Sequence, residues 1–201
     1  MIRDELFPTP IWSWWYPRPA DLVAWSERVL VLEQQDPQGL QITNQGGWHS
    51  STTLLQDPIL DPLFRWIATS VQDAIQMEGW DRSKASPCFN NAWAMVSRRG
   101  HGVRAHLHPN SLFSGVIYLR ATESCGDIAF LDPRGGSQML QYPQIEGAVM
   151  KNNGRVVKSV QPGLMLLFPS WLWHEVDPSE TEQVRICISF NVGMRPIPST
   201  A

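Results

Sequence analysis

Residues 104–115 read RAHLHPNSLFSG, two histidines one residue apart that run straight into an apolar stretch. Alternate side chains of a strand point to the same face, so His106 and His108 project together while Leu107 turns to the other side. Two neighbouring imidazoles use core space poorly unless something binds between them. A third histidine stands in a second β context, GLMLLFPSWLWHEV at 163–176, where an apolar run ends at Pro169 and a short Trp-lined turn presents His174. The 66 positions between His108 and His174 are enough for several antiparallel strands to return the chain to the first pair. Three imidazoles then converge on one point. Imidazole suits Zn, Cu, Fe and Ni, so ligand type alone leaves the metal open. His49 and His101, each alone in its segment, read as structural or solvent-exposed.

Outward from this stretch, everything after residue 87 is short β-type runs punctuated by turn residues. CFNNAWAMV, VRAHLH, LFSGVIYLRA, DIAFLD, RVVKSV, GLMLLFP, WLWHEV and QVRICISFNV are bounded by segments such as RRG, DPRGG, KNNG and DPSE. This pattern predicts an antiparallel sandwich or barrel of about eight strands, with a jelly roll the natural candidate. Two segments ahead of it predict helices. In residues 20–35, Leu22, Trp25, Val29 and Leu32 recur at three- and four-residue steps. From Asp61, a candidate cap, with Pro62 in the first turn, the stripe Leu63, Ile67, Val71 and Ile75 runs to a stop at Gly79. Between the helices, TNQGGWHSSTTL reads as a loop or irregular strand. The expected organisation is one domain over 1–201, with a helical part at 1–86 packed on a jelly-roll core at 87–195.

Composition narrows the partners. A net charge of −3 with scattered Lys and Arg lacks the attraction that draws nucleic acid or anionic membranes, which leaves small molecules or proteins. Cys88, Cys125 and Cys187 are odd in number, far apart and without a CxxC pair, so neither a disulfide framework nor a zinc knuckle is indicated and a reducing, cytoplasmic setting fits best. No segment approaches the roughly 18 apolar residues of a membrane span. An oligomer stays open. GxSxG, P-loop and GxGxxG turns are absent, which argues against nucleophilic hydrolysis and nucleotide binding.

The motifs NAWAMV, HLHPNSLFSGVIYL, FLDPR, LFPSWLWHEV and RICISFN, with LFPTPIW and GGWHS before them, are similar to a bacterial and phage family of 2-oxoglutarate/Fe(II) oxygenases. The superfamily's signature is an HxD/E pair on one strand, a distal His near FP…HEV and an Arg shortly after; HLH at 106–108, His174 and Arg185, 11 positions later, resemble that order in its prolyl-hydroxylase branch. The resemblance implies a double-stranded β-helix, hydroxylation of a small-molecule or peptidyl substrate, and use of Fe(II), 2-oxoglutarate and O2 with release of succinate and CO2. It also implies that His106 and His174 are iron ligands. His108 falls where the superfamily usually has a carboxylate; three neutral imidazoles leave Fe(II) a net charge of about +2 rather than about +1. A carboxylate arriving from Asp127 or Asp132 is the alternative, but the two-residue step from His106 favours His108.

The distal carboxylate of 2-oxoglutarate needs a planar cationic fork, and Arg185 inside the apolar VRICISF fits that role. Its bland reading is a structural salt bridge or a strand position facing water. Tyr118 resembles the position whose phenol helps hold the same carboxylate, or is a core aromatic; Ser189, on the face of Arg185, and Asn91 are further cofactor-binding candidates. Trp171 and Trp173 flank His174 and are candidates to wall the pocket, as are Trp48 and Asp127 more weakly; His49 beside Trp48 is a candidate for the same substrate mouth, with a loop anchor the safer reading. Trp12, Trp14 and Trp15 suit a packed N-terminal strand or a partner surface equally. Two rivals remain at this point: a three-His cupin-type dioxygenase or isomerase without 2-oxoglutarate, and a non-catalytic β-sandwich binding module.

Overall fold

The computed structural model describes residues 6–135 and 154–197, together with positions 2, 143 and 146. The first helix, α1 (Pro19–Gln35), opens on a proline, whose fixed φ suits a first turn, and buries Leu22, Trp25 and Val29, three of the four residues of the expected stripe. The second, α2 (Asp61–Met77), buries Leu63, Ile67, Val71 and Ile75 as their spacing predicts. One detail differs. Asp61 is the first helical residue and makes no cap bond, because a 3-10 turn at Pro58–Leu60 runs directly into the helix and is itself capped by Asp57, which accepts from the Ile59 N–H. Gly79, at φ +70°, ends the helix with its N–H on the Gln76 carbonyl.

The strands are β1 (Trp12–Trp15), β2 (Asn44–Gln45), β3 (Trp48–His49), β4 (Ala85–Ser97), β5 (Gly102–His106), β6 (Phe113–Arg120), β7 (Ile128–Leu131), β8 (Arg155–Lys158), β9 (Leu164–Pro169), β10 (His174–Val176) and β11 (Arg185–Pro196). They form a six-stranded sheet in the order β1-β9-β6-β11-β4-β3 and a five-stranded sheet in the order β2-β5-β10-β7-β8, with antiparallel pairing throughout. Mainly β, with two antiparallel sheets and helices from the N-terminal part, this is the jelly roll. The N-terminal part contributes more than helices: β1 pairs with β9, β3 with β4, and β2 with β5, so TNQGGWHS is strand at two points. Trp12 packs edge-on against Phe113 at 5.3 Å, which settles that tryptophan as part of a packed strand; Trp15 beside it is exposed.

Two apolar clusters share the six-stranded sheet. On one face Ala92, Ala94, Ile117, Met165, Leu167, Ile186, Ile188 and Phe190 meet the helices; on the other Trp93, Met95, Val116, Tyr118, Leu166, Phe168 and Cys187 face the second sheet. The central strands are therefore covered on both faces, which is why VIYL, LMLLF and ICISF read as continuous apolar runs instead of alternating ones. Burying each large side chain contributes about 1.5–3 kcal/mol. Phe64 of α2 meets Phe89 of β4 edge-on at 5.7 Å and anchors the helix layer to the sheet.

Candidate metal centre

His106 ends β5 and His174 begins β10, and antiparallel pairing sets the two directly opposite each other. His108 lies two residues past the strand, held by its N–H on the Ser170 carbonyl at 2.9 Å. Ring centroids are 4.2 Å apart for His106 and His174, 4.9 Å for His106 and His108, and 5.1 Å for His108 and His174. One nitrogen from each ring lies within 4.8 Å of the others, and no carboxylate among the described residues joins the group.

The tautomers are set by the backbone. His106 Nδ1–H donates to the Arg104 carbonyl at 2.8 Å and His174 Nδ1–H to the Leu172 carbonyl at 2.9 Å. Each ring therefore keeps a lone pair on Nε2, the arrangement by which outer hydrogen bonds orient metal-binding histidines. Burial lowers the pKa of all three; His108 falls to about 4 and His174 to about 3, both also disfavoured as cations by the neighbouring His106. At neutral pH the three are uncharged donors, a set that suits Fe(II) among other divalent transition metals.

A cavity of about 290 Å³ opens from the histidines between the two sheets. Side chains spaced by two along β11 line it: Arg185, Cys187, Ser189 and Asn191. Arg185 is 2% exposed. Its guanidinium donates to the Gly126 carbonyl at 2.5 Å and to Ser97 Oγ at 3.0 Å, while Nε has no partner. Among the described residues no carboxylate pairs with it, so the bland reading as a structural salt bridge does not apply. Gly126, at φ +91°, makes the close approach feasible, since a Cβ there would stand 2.9 Å from Arg185 Nη1 and collide with the Asp177 carbonyl. Tyr118 also lines the cavity; burial raises its pKa above the usual phenol range, so it stays a neutral hydroxyl.

Ser189 and Asn91 line the cavity too, but apart from Arg185. Ser189 stands four residue steps along the strand from Arg185, about 13 Å of rise, so one carboxylate group does not span both. Asn91 sits further along again, its Oδ1 accepting from Asn191 at 2.9 Å. Four expected wall residues lie elsewhere. Trp171 and Trp173 are 52% and 45% exposed, because the alternation that turns His174 inward turns Trp173 outward and Trp171 lies in the preceding turn. Trp48 faces the helices and donates from Nε1 to the Asp36 carbonyl at 2.6 Å. Asp127 accepts from the Val160 N–H and the Ser159 hydroxyl, and Asp132 pairs with Arg134.

The sequence reading missed Trp93, and named His49 only beside Trp48 as a residue of a substrate mouth, preferring a loop anchor. His49 is buried, lines the cavity, and stacks on Trp93 at 5.6 Å with planes 6° apart; Trp93 in turn lies 5.7 Å from His108. The available signal was the same alternation: with Trp48 in the helix-facing core, its neighbour on a strand must face the other way.

Comparison with known proteins agrees with this geometry. A family described as "Putative 2OG-Fe(II) oxygenase" matches residues 91–191, half of the chain. No curated protein matches. Among solved structures, a Pseudomonas putida prolyl-4-hydroxylase is similar at 16% identity and TM-score 0.63, covering 92% of this chain and 93% of that one. HygX from Streptomyces hygroscopicus, with nickel and 2-oxoglutarate bound, is similar at 11% identity and TM-score 0.60, with coverage of 96% and 84%. A prolyl hydroxylase from Trichoplax adhaerens, in complex with a hypoxia inducible factor peptide fragment, is similar at 14% identity and TM-score 0.62, with coverage of 91% and 83%. At these identities the likeness is one of fold. With the family match across the strands that carry the histidines, the chain belongs to the 2OG-Fe(II) oxygenase family and is an oxidoreductase that uses 2-oxoglutarate and iron.

Proposed function

We propose that His106, His108 and His174 hold Fe(II) through their free nitrogens, that Arg185 takes the distal carboxylate of 2-oxoglutarate with the Tyr118 hydroxyl beside it, and that the substrate fills the rest of the cavity. The observation that carries this reading is Arg185: a buried guanidinium with an unpartnered Nε, neutral oxygens at its other nitrogens and no carboxylate among the described residues to balance it. A buried cation of this kind is costly unless an anion arrives to pair with it, and a dicarboxylate chelating a nearby metal is such an anion. The same observation disfavours the cupin-type reading, which has no use for that charge.

When bound, iron with 2-oxoglutarate and O2 supplies oxidation of a substrate C–H group, most simply hydroxylation, with release of succinate and CO2. The chain's own share is positional. Backbone carbonyls hold the imidazole rings of His106 and His174 at fixed angles. The Arg185 fork and its partners Gly126 and Ser97 fix one end of the cosubstrate. Trp93, Val116 and Phe168 give the cavity apolar walls that keep water from the reacting centre. Ser189 and Asn91 stand toward the metal-bound end. The substrate is a small molecule or a peptidyl group, and three free cysteines favour a cytoplasmic setting.

Anaerobic addition of Fe(II) and then 2-oxoglutarate tests this directly. One iron per chain and a visible charge-transfer band upon adding 2-oxoglutarate are expected, with both lost in His174→Ala. Iron bound without the band would return the case to the cupin-type alternative.

A further inference from the structure

His49 belongs to neither the metal group nor the Arg185 end, yet it is 4% exposed and lines the same cavity. Its ring is locked on two sides. Nδ1–H donates to the Ser50 carbonyl at 2.7 Å, and the ring face lies parallel to Trp93. With Nδ1 carrying the proton, Nε2 is a pure acceptor. It has no hydrogen-bond partner among the described residues, and the side chain that carries it lines the cavity. Burial lowers the pKa of this ring, so it remains neutral at physiological pH. A fixed, neutral, unused acceptor in an enclosed apolar space rewards a ligand that brings a donor.

The charge of the lining narrows the ligand further. Among the described residues the cavity is lined by no Asp, Glu or Lys, and Arg185 is its single charged side chain. Iron on three neutral imidazoles adds about two positive charges, and the two carboxylates of 2-oxoglutarate do not cancel the total. The site stays positive, and a cationic amine would be desolvated there without a counter-charge. The apolar surroundings of Trp93, Ile42, Val103 and Val176 suit carbon.

We infer that His49 is a substrate-binding residue whose Nε2 accepts a hydrogen bond from a neutral N–H or O–H donor, so that the substrate class is an uncharged, largely apolar molecule bearing an amide or hydroxyl rather than an ammonium group. The inference rests on the cavity being the substrate site of the oxygenase reading.

Three probes test it on full-length protein loaded with Zn(II) and 2-oxoglutarate: N-methylcyclohexanecarboxamide, which has a donor; N,N-dimethylcyclohexanecarboxamide, which has none; and cyclohexylmethylammonium. Dissociation constants are read by ligand-observed NMR. The secondary amide is expected to bind at least tenfold tighter than either of the others. In His49→Phe, which keeps ring volume and the Trp93 stack, the difference between the two amides should shrink to about twofold or less. Equal binding of the two amides, a preference that persists in His49→Phe, binding of the ammonium as tight as the secondary amide, or no binding of either amide overturns the inference. Zinc content and 2-oxoglutarate affinity, measured separately, report failure of the underlying site reading; loss of either in the wild-type protein sinks that reading rather than the role of His49.

Discussion

Arg185 shows how one residue carries two opposing demands. Inside an apolar strand a charge is costly to bury, and under the function proposed above the same charge receives the distal carboxylate of 2-oxoglutarate. Replacing it with methionine keeps the length and removes the charge. Arg185→Met is expected to weaken 2-oxoglutarate binding on the order of 100-fold, the loss of a charge-assisted fork, while metal stoichiometry stays at one per chain. Without 2-oxoglutarate the melting temperature should not fall, because replacing a buried, unbalanced charge by an apolar group of similar volume is often neutral or stabilising. Calorimetric titration and thermal melts read the two effects separately. Unchanged affinity, or a large drop in melting temperature, would mark Arg185 as structural.

Among the elements, β11 and β4 do most to position the site. Their register sets Arg185 opposite Ser97, Cys187 opposite Met95, Ser189 opposite Trp93 and Asn191 opposite Asn91; all of these but Ser97, which accepts from Arg185, line the cavity. Residues between them, Ile186, Ile188 and Phe190, turn to the helices. A one-residue slip would exchange the two sets and bury the guanidinium against α1 and α2. The helix layer holds that register from behind. Ile67 of α2 is fully enclosed there, so Ile67→Ala should cost about 3 kcal/mol in urea unfolding, with unchanged metal content in the protein that remains folded. A cost under 1 kcal/mol would show that the helix merely rests on the sheet.

For the whole molecule, burial of the histidines ties folding to pH. Unfolded imidazoles take up protons near pH 6.5, whereas folded His108 stays neutral to about 4 and His174 to about 3. Below 6.5 the unfolded state therefore binds more protons than the folded one, and stability falls as pH falls. Above 6.5 both states are neutral and these groups add no dependence. The metal-free protein is expected to lose on the order of a few kcal/mol between pH 7 and 4, with a shallower slope in His174→Leu. Melting curves across that range check it; a flat profile, or equal slopes in the two proteins, would contradict it.

Much of this was legible locally. The two-residue step of His106 and His108, the stripe of Leu63, Ile67, Val71 and Ile75, and the turn-bounded β runs each follow from backbone periodicity, which a chain carries in its order of residues. His174 stood out as a third histidine at the end of an apolar run, while Arg185 was singled out by the family resemblance and only then by its place inside an apolar strand. What periodicity did not carry was which face of each strand meets which neighbour. Trp48 and His49 are adjacent, and only the pairing of β3 with β4 sends the first to the helices and the second to the cavity. Trp171 and Trp173 flank a site histidine and still point to solvent, and Asp127 is spent on the Val160 N–H. Those outcomes depend on contacts between segments far apart in the chain. Local pattern sets what each residue is able to do, and long-range pairing decides what it faces.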